Sequence, residues 1–142
     1  MPCCARAGAV ATFIQVVDPS RLVLVVEDYD DTRILWENNL SRAGYDVVTA
    51  QDGAQAIDLA TRLHPRIVLM DLALPGIDGW EATRAIRRAV GDVAMSIIAV
   101  SAMIGMAARS EALRVGCDGF VAKPCTPDTI VSVVKTFADS YA

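Results

Sequence analysis

Five short apolar runs recur along this chain at intervals that leave room for a helix between each pair. They are Leu22-Val23-Leu24-Val25-Val26, Tyr45-Asp46-Val47-Val48-Thr49, Ile67-Val68-Leu69-Met70, Ile97-Ile98-Ala99-Val100 and Gly119-Phe120-Val121-Ala122. Mostly unbroken apolar runs of this length mark strands covered on both faces, and alternation with helical patterns marks successive βα units. The chain is therefore expected to form an α/β fold, a five-stranded parallel sheet with helices on both faces.

The intervening segments carry helix signals. Residues 30–43 place Ile34, Leu35 and Leu40 at helical spacing before the stop at Gly44. Residues 52–63 carry Ala56, Ile57, Leu59, Ala60 and Leu63, and His64-Pro65 ends that helix because a residue before proline is pushed out of the α region. Asp78, with Glu81 three residues on, reads as the cap of a third helix reaching about Val90, which makes Asp78 structural. A fourth helix is expected over residues 105–115, ended by Gly116. A last one starts at Pro127 with Ile130, Val133, Val134 and Phe137 on one face.

Composition narrows the function classes. At 142 residues, 54% hydrophobic and 21% charged, the chain is one domain's worth and too apolar for disorder, and no stretch is long enough for a membrane span. A net charge of −4 with no Lys/Arg cluster beyond Arg87-Arg88 argues against direct nucleic-acid binding. Cys3, Cys4, Cys117 and Cys125 form no Cys-x-x-Cys pair and the chain has one histidine, so neither a zinc site nor a disulfide framework is indicated. This usage suggests the reducing cytoplasm, with Cys117 and Cys125 as small core residues. Residues 1–20 carry no strong targeting signal and read as a frayed N-terminal extension, leaving residues 21–142 as the folded unit with none over for an output module.

The chemistry lies at the run ends. Glu27 and Asp28 follow the first run, Asp71 the third, Ser101 the fourth and Lys123 the fifth. In a parallel sheet all of these strand ends share one edge, where open α/β folds bind ligands. Crowded carboxylates either hold a proton or bind a cation, and an all-oxygen donor set with room for water suits Mg²⁺, with Asp28 and Asp71 as direct ligands and Glu27 acting through water. A carboxylate beside such an ion can attack phosphorus to form an acyl phosphate, with Lys123 as a charge clamp and Ser101 as a hydroxyl donor to a phosphoryl oxygen. Taken singly, each residue is as well read as a helix cap, a strand-end hydroxyl or a solvated lysine; their joint order carries the argument.

That order resembles the receiver domains of bacterial two-component response regulators, over roughly residues 21–141. The matching segments are Val25-Val26-Glu27-Asp28, the stretch from Asp71-Leu72-Ala73-Leu74-Pro75 to Gly79, Val100-Ser101-Ala102, and Gly116-Cys117-Asp118-Gly119-Phe120 on to Lys123-Pro124. The resemblance implies a flavodoxin-like strand order 2-1-3-4-5 and a phosphoacceptor at Asp71. It also implies a Mg²⁺ site of Glu27, Asp28, Asp71 and the Ala73 carbonyl, and a switch in which Ser101 moves and Phe120 swings inward behind it. Phe120 lacks the tyrosine hydroxyl of many relatives, so its switch would rest on packing. Lys123-Pro124 resembles a bond that is cis in the family. Ala73 and Met103 stand where side chains flank the path of attacking water and would tune acyl phosphate lifetime.

The implied protein is a stand-alone cytoplasmic signalling domain, not an enzyme beyond its own phosphoryl transfer and slow autodephosphorylation. It would accept its phosphoryl group from a sensor histidine kinase or a histidine phosphotransfer protein, and signal to a protein target through the face of the fourth helix, fifth strand and last helix. Asp28-Tyr29-Asp30-Asp31-Thr32 also resembles the first motif of haloacid-dehalogenase-type phosphatases, which would make Asp28 the nucleophile. That scheme needs acidic ligands after the lysine strand, and residues 124–142 offer only Asp128 and Asp139. A pseudo-receiver used only for binding is the third reading.

Overall fold

A computed structural model describes residues 18–91, 93–102 and 105–140. The strands are β1 (Leu22–Val26), β2 (Asp46–Ala50), β3 (Ile67–Asp71), β4 (Ser96–Ser101) and β5 (Gly119–Ala122). The helices are α1 (Asp30–Arg42), α2 (Gly53–Leu63), α3 (Gly79–Val90), α4 (Met106–Val115) and α5 (Pro127–Asp139), and a short 3₁₀ turn, Pro19–Arg21, leads into β1. All strands are parallel and stand in the order β2-β1-β3-β4-β5. This is the doubly wound fold expected from the sequence.

Strand alternation splits the core in two. Leu24, Val26, Val68, Met70 and Ile97 face α2, α3 and α4, where they meet Ala56, Ala60, Ile86 and Ala112. Val23, Val25, Leu69, Ile98 and Val100 face α1 and α5, against Trp36, Leu40, Ile130 and Val134. In the central strands β1, β3 and β4 period-two alternation gives every run residue a covered face, whereas the edge strands β2 and β5 are partly exposed. Each fully buried Leu or Ile contributes on the order of 2 kcal/mol of transfer free energy.

Local signals place the helix ends. Asp52 and Asp78 each accept a hydrogen bond from the backbone N–H three residues on, Gln55 at 2.8 Å and Glu81 at 2.9 Å, so Asp78 is a helix cap as read. His64, before Pro65, leaves the helix in the left-handed region at φ 48°. β2 is shifted one residue from the expected 45–49, because its ladder begins where β1 begins, Leu22 against Asp46.

The inner face of α1 corrects the sequence reading. Ile34 and Leu35 are 49% and 46% exposed, and the buried positions are Arg33, Trp36 and Leu40. Arg33 turns inward because its guanidinium finds acceptors there: the Glu27 carbonyl at 3.1 Å and the Asp30 carboxylate at 2.6 Å. With those partners an arginine is cheaper to bury than its charge suggests, and the helix rotates accordingly. Cys117 is buried as expected, whereas Cys125 is only half-buried. The expectations placed on residues 1–17, including Cys3 and Cys4, and on Met103 lie outside the described residues.

Candidate functional site at the carboxy edge of the sheet

The register carries the candidate side chains to one edge. Val26 pairs with Met70, Asp71 with Val100 and Ser101 with Ala122, so Glu27, Asp71, Ser101 and Lys123 all stand at or one residue past the same line of strand ends. That line crosses the point where the chain winds from β1 outward to β2 on one side and to β3 on the other. Backbone bonds extend the ladder beyond the strands. Glu27 N–H donates to the Ala50 carbonyl at 3.1 Å, Leu72 N–H to Val100 at 3.3 Å and Lys123 N–H to Ser101 at 2.8 Å.

Glu27, Asp28 and Asp71 each present a carboxylate oxygen within 4.8 Å of the others. Glu27 and Asp71 are almost fully covered, at 1% and 3% exposure, and Asp28 lies open to solvent. Lys123 Nζ reaches in from β5 to donate to Glu27 Oε1 at 2.8 Å and Asp71 Oδ2 at 3.4 Å. The other oxygens are held by backbone: Glu27 Oε2 accepts from Tyr29 N–H at 3.2 Å, and Asp71 Oδ1 from Ala73 N–H at 3.0 Å. The Lys123-Pro124 bond is cis.

Three carboxylates face one ammonium, and the imbalance shows in their proton affinities. Burial lifts the Glu27 carboxyl above its ordinary value, and the neighbouring Asp71 adds to the rise against the Lys123 hydrogen bond. Burial works against the Lys123 ammonium, but the Glu27 hydrogen bond and the charges on Asp71 and Glu27 outweigh it and hold the lysine above its usual value. The donor set fits a hard divalent cation: oxygen atoms only, two buried carboxylates, one exposed one, and surplus negative charge.

Close backbone packing fixes the loop after Asp71. A Cβ on Gly79 would stand 2.3 Å from the Asp71 carbonyl oxygen, so only glycine lets α3 start directly beneath β3. Gly79 N–H then donates to the Leu72 carbonyl at 3.1 Å. Around the notch, Thr32, Trp36, Ala102, Lys123, Pro124 and Cys125 line a cavity of about 350 Å³.

Two contributors had no signal in the sequence. The contacts of Arg33 with Glu27 and Asp30 brace the loop that carries Asp28. Trp36 is buried, and Lys123 Nζ lies 5.8 Å from its ring centroid. On the switch expected from the resemblance, Ser101 is buried at the end of β4. Phe120 is half-buried on β5 with the Arg109 guanidinium 5.5 Å above its ring centroid.

The family model described as the response regulator receiver domain matches residues 23–135. The chain belongs to that family. A chemotaxis protein of Vibrio cholerae is 27% identical in sequence and superposes with a TM-score of 0.77 over 82% of this chain and 97% of that one. The receiver domain of a sensor histidine kinase of Pseudomonas aeruginosa, solved with a magnesium ion coordinated in its active-site cleft, is 31% identical, with a TM-score of 0.75 over 84% and 98% of the two chains. A "Probable transcriptional regulator" of Porphyridium aerugineum is 31% identical over 80% of this chain and 46% of its own. The chain thus spans about half the length of the curated relatives it matches. Like its relatives, this receiver is a unit of two-component signalling, and no helix among its described residues is long and apolar enough to cross a membrane.

Proposed function

We propose that this receiver takes a phosphoryl group onto Asp71 from a phosphohistidine of a sensor histidine kinase or histidine phosphotransfer protein. The observation that carries the reading is Lys123 Nζ within reach of both Glu27 and Asp71, in a notch where three carboxylates crowd together. An Asp71 oxygen bonds to phosphorus as the phosphorus–nitrogen bond breaks, and the departing imidazole takes a proton from solvent. Lys123 is placed to turn from the carboxylates to the phosphoryl oxygens, and Ser101 donates its hydroxyl to one of them.

Mg²⁺, when bound, supplies positive charge against the phosphoryl oxygens. Asp28, Asp71 and the Ala73 carbonyl would hold it directly. Glu27, held by Lys123 at 2.8 Å against 3.4 Å for Asp71, would contact it through water. Ala73 is exposed beside Asp71 and would tune the lifetime of the acyl phosphate.

The output is conformational: Ser101 and Phe120 bias the face of α4, β5 and α5 toward a downstream protein, and Met106 at 84% exposure offers that partner an apolar contact. Residues 21–142 act as the receiver unit after residues 1–20, working in the cytoplasm as a signalling domain without further enzymatic activity. The test is incubation with a phosphohistidine donor or acetyl phosphate and Mg²⁺, followed by mapping of the label. Label on Asp71 supports the reading. Label on Asp28 with steady turnover replaces it with a phosphatase, and a spectrum unmoved by beryllofluoride and Mg²⁺ replaces it with a binding module.

A further inference from the structure

Lys123 has a third neighbour besides its two carboxylates. Trp36 of α1 lines the same cavity, is only 2% exposed, and sets its ring 5.8 Å from Lys123 Nζ. Filling this part of the core needs apolar volume, which a leucine would provide as well. Only an aromatic face adds a region of negative potential to hold an ammonium.

The geometry explains why such a hold matters. Lysine carries its charge on a flexible stem and shifts readily among acceptors. Here the nearer acceptor is Glu27 at 2.8 Å, and Asp71 lies at 3.4 Å. With the carboxylates alone, the ammonium has little to stop it from swinging out with the stem or settling wholly on Glu27. The ring offers the ammonium a third, buried neighbour whose low-dielectric surroundings strengthen its hold.

We propose that Trp36 is a positioning residue that keeps the Lys123 ammonium between Glu27 and Asp71, ready for a phosphoryl group on Asp71. The proposal rests on the phosphoacceptor reading above. Trp36 touches no reacting atom; it acts through Lys123.

Two measurements test it on the full chain. The first uses Trp80→Phe, which leaves Trp36 as the single tryptophan, and compares its emission with and without Lys123→Met in the absence of any phosphoryl donor. Loss of the ammonium is expected to shift the emission, and identical spectra would overturn the contact. The second follows phosphorylation by acetyl phosphate with Mg²⁺. Trp36→Leu is expected to lower the saturating rate about threefold to tenfold, and Trp36→Phe to stay within about twofold of the parent. Equal rates in the parent and Trp36→Leu would refute the proposal. So would a Trp36→Phe loss as deep as that of Trp36→Leu, since the ring would then matter only as packing. If the parent takes no label on Asp71, the phosphoacceptor reading fails and the proposal with it, while the emission measurement still judges the contact by itself.

Discussion

At the amino ends of β4 and β5, Arg87 of α3 reaches the Gly116 carbonyl at 2.9 Å, the Met95 carbonyl at 2.8 Å and the Asp118 carboxylate at 2.5 Å. Asp118 also accepts from Ile97 N–H at 2.9 Å. At the carboxy ends of the same sheet, Glu27 and Asp71 share the Lys123 ammonium with the Asp28 carboxylate crowded beside them. The first cluster matches one cation to one anion and gives the guanidinium a carbonyl for each remaining edge. The second leaves negative charge over. A matched cluster ties a helix to two strands and has little reason to react; an unmatched one costs stability in the resting protein and is open to a cation or a phosphoryl group.

Substitutions at the two ends should therefore fail in opposite ways, and the largest effect belongs to the unmatched end. Asp71→Asn is expected to abolish label uptake from acetyl phosphate while the urea midpoint holds or rises, because one repelling charge is gone. A folded variant that retains the label would break the comparison. Lys123→Ala should slow uptake without abolishing it, since the nucleophile remains.

Arg87→Ala tests the matched end. It is expected to cost about 2 kcal/mol in urea unfolding, because two carbonyls and a carboxylate lose their donor, and to leave phosphorylation of the folded fraction unchanged. A stability loss within experimental error would show that the cluster is ornament to the fold.

Glu27→Gln sharpens the contrast on a smaller scale. In metal-free buffer at neutral pH it should stabilise the fold by about 0.5–2 kcal/mol, the range typical of a single stabilising substitution. The sign follows from the raised Glu27 carboxyl: its protonated form supports the fold below the unfolded value of about 4.5, and that support is lost as pH rises through the higher folded value. The advantage of Glu27→Gln should accordingly vanish in acid, and pH-dependent urea titrations of both proteins would detect it.

The smallest effect is a labelling order between two thiols, one near each cluster. Cys117, buried beside Thr83 and Arg87, has its thiol pushed up to about 11 by desolvation. Cys125 is half-buried in the cavity wall with Lys123; burial raises its thiol too, and the lysine draws it back. Iodoacetamide at pH 8 with peptide mapping should modify Cys125 well before Cys117. The reverse order would mean that the amino end opens more readily than the notch.

Much of this architecture is legible without coordinates. The central strand runs buried on both faces, Asp78 as a cap and the polar residues that end four of the runs are local features, set by a few neighbours in sequence. The inner face of α1 was not legible, because Ile34 and Leu35 are the apolar choices and nothing nearby says that Arg33 finds acceptors at Glu27 and Asp30. β2 was displaced by one residue for a similar reason: its start is decided by its partner strand.

What the sequence determined by itself is the alternation of runs and helices, and with it a parallel sheet whose candidate site residues end on a common line. What only the tertiary structure decided is who neighbours whom along that line. Glu27 and Lys123 are 96 residues apart in the chain and 2.8 Å apart in space, and the ring of Trp36 beside them comes from a helix with no chemical motif. Periodicity fixes which way a side chain faces, but distance across strands depends on their order, and order is settled only when the whole core packs.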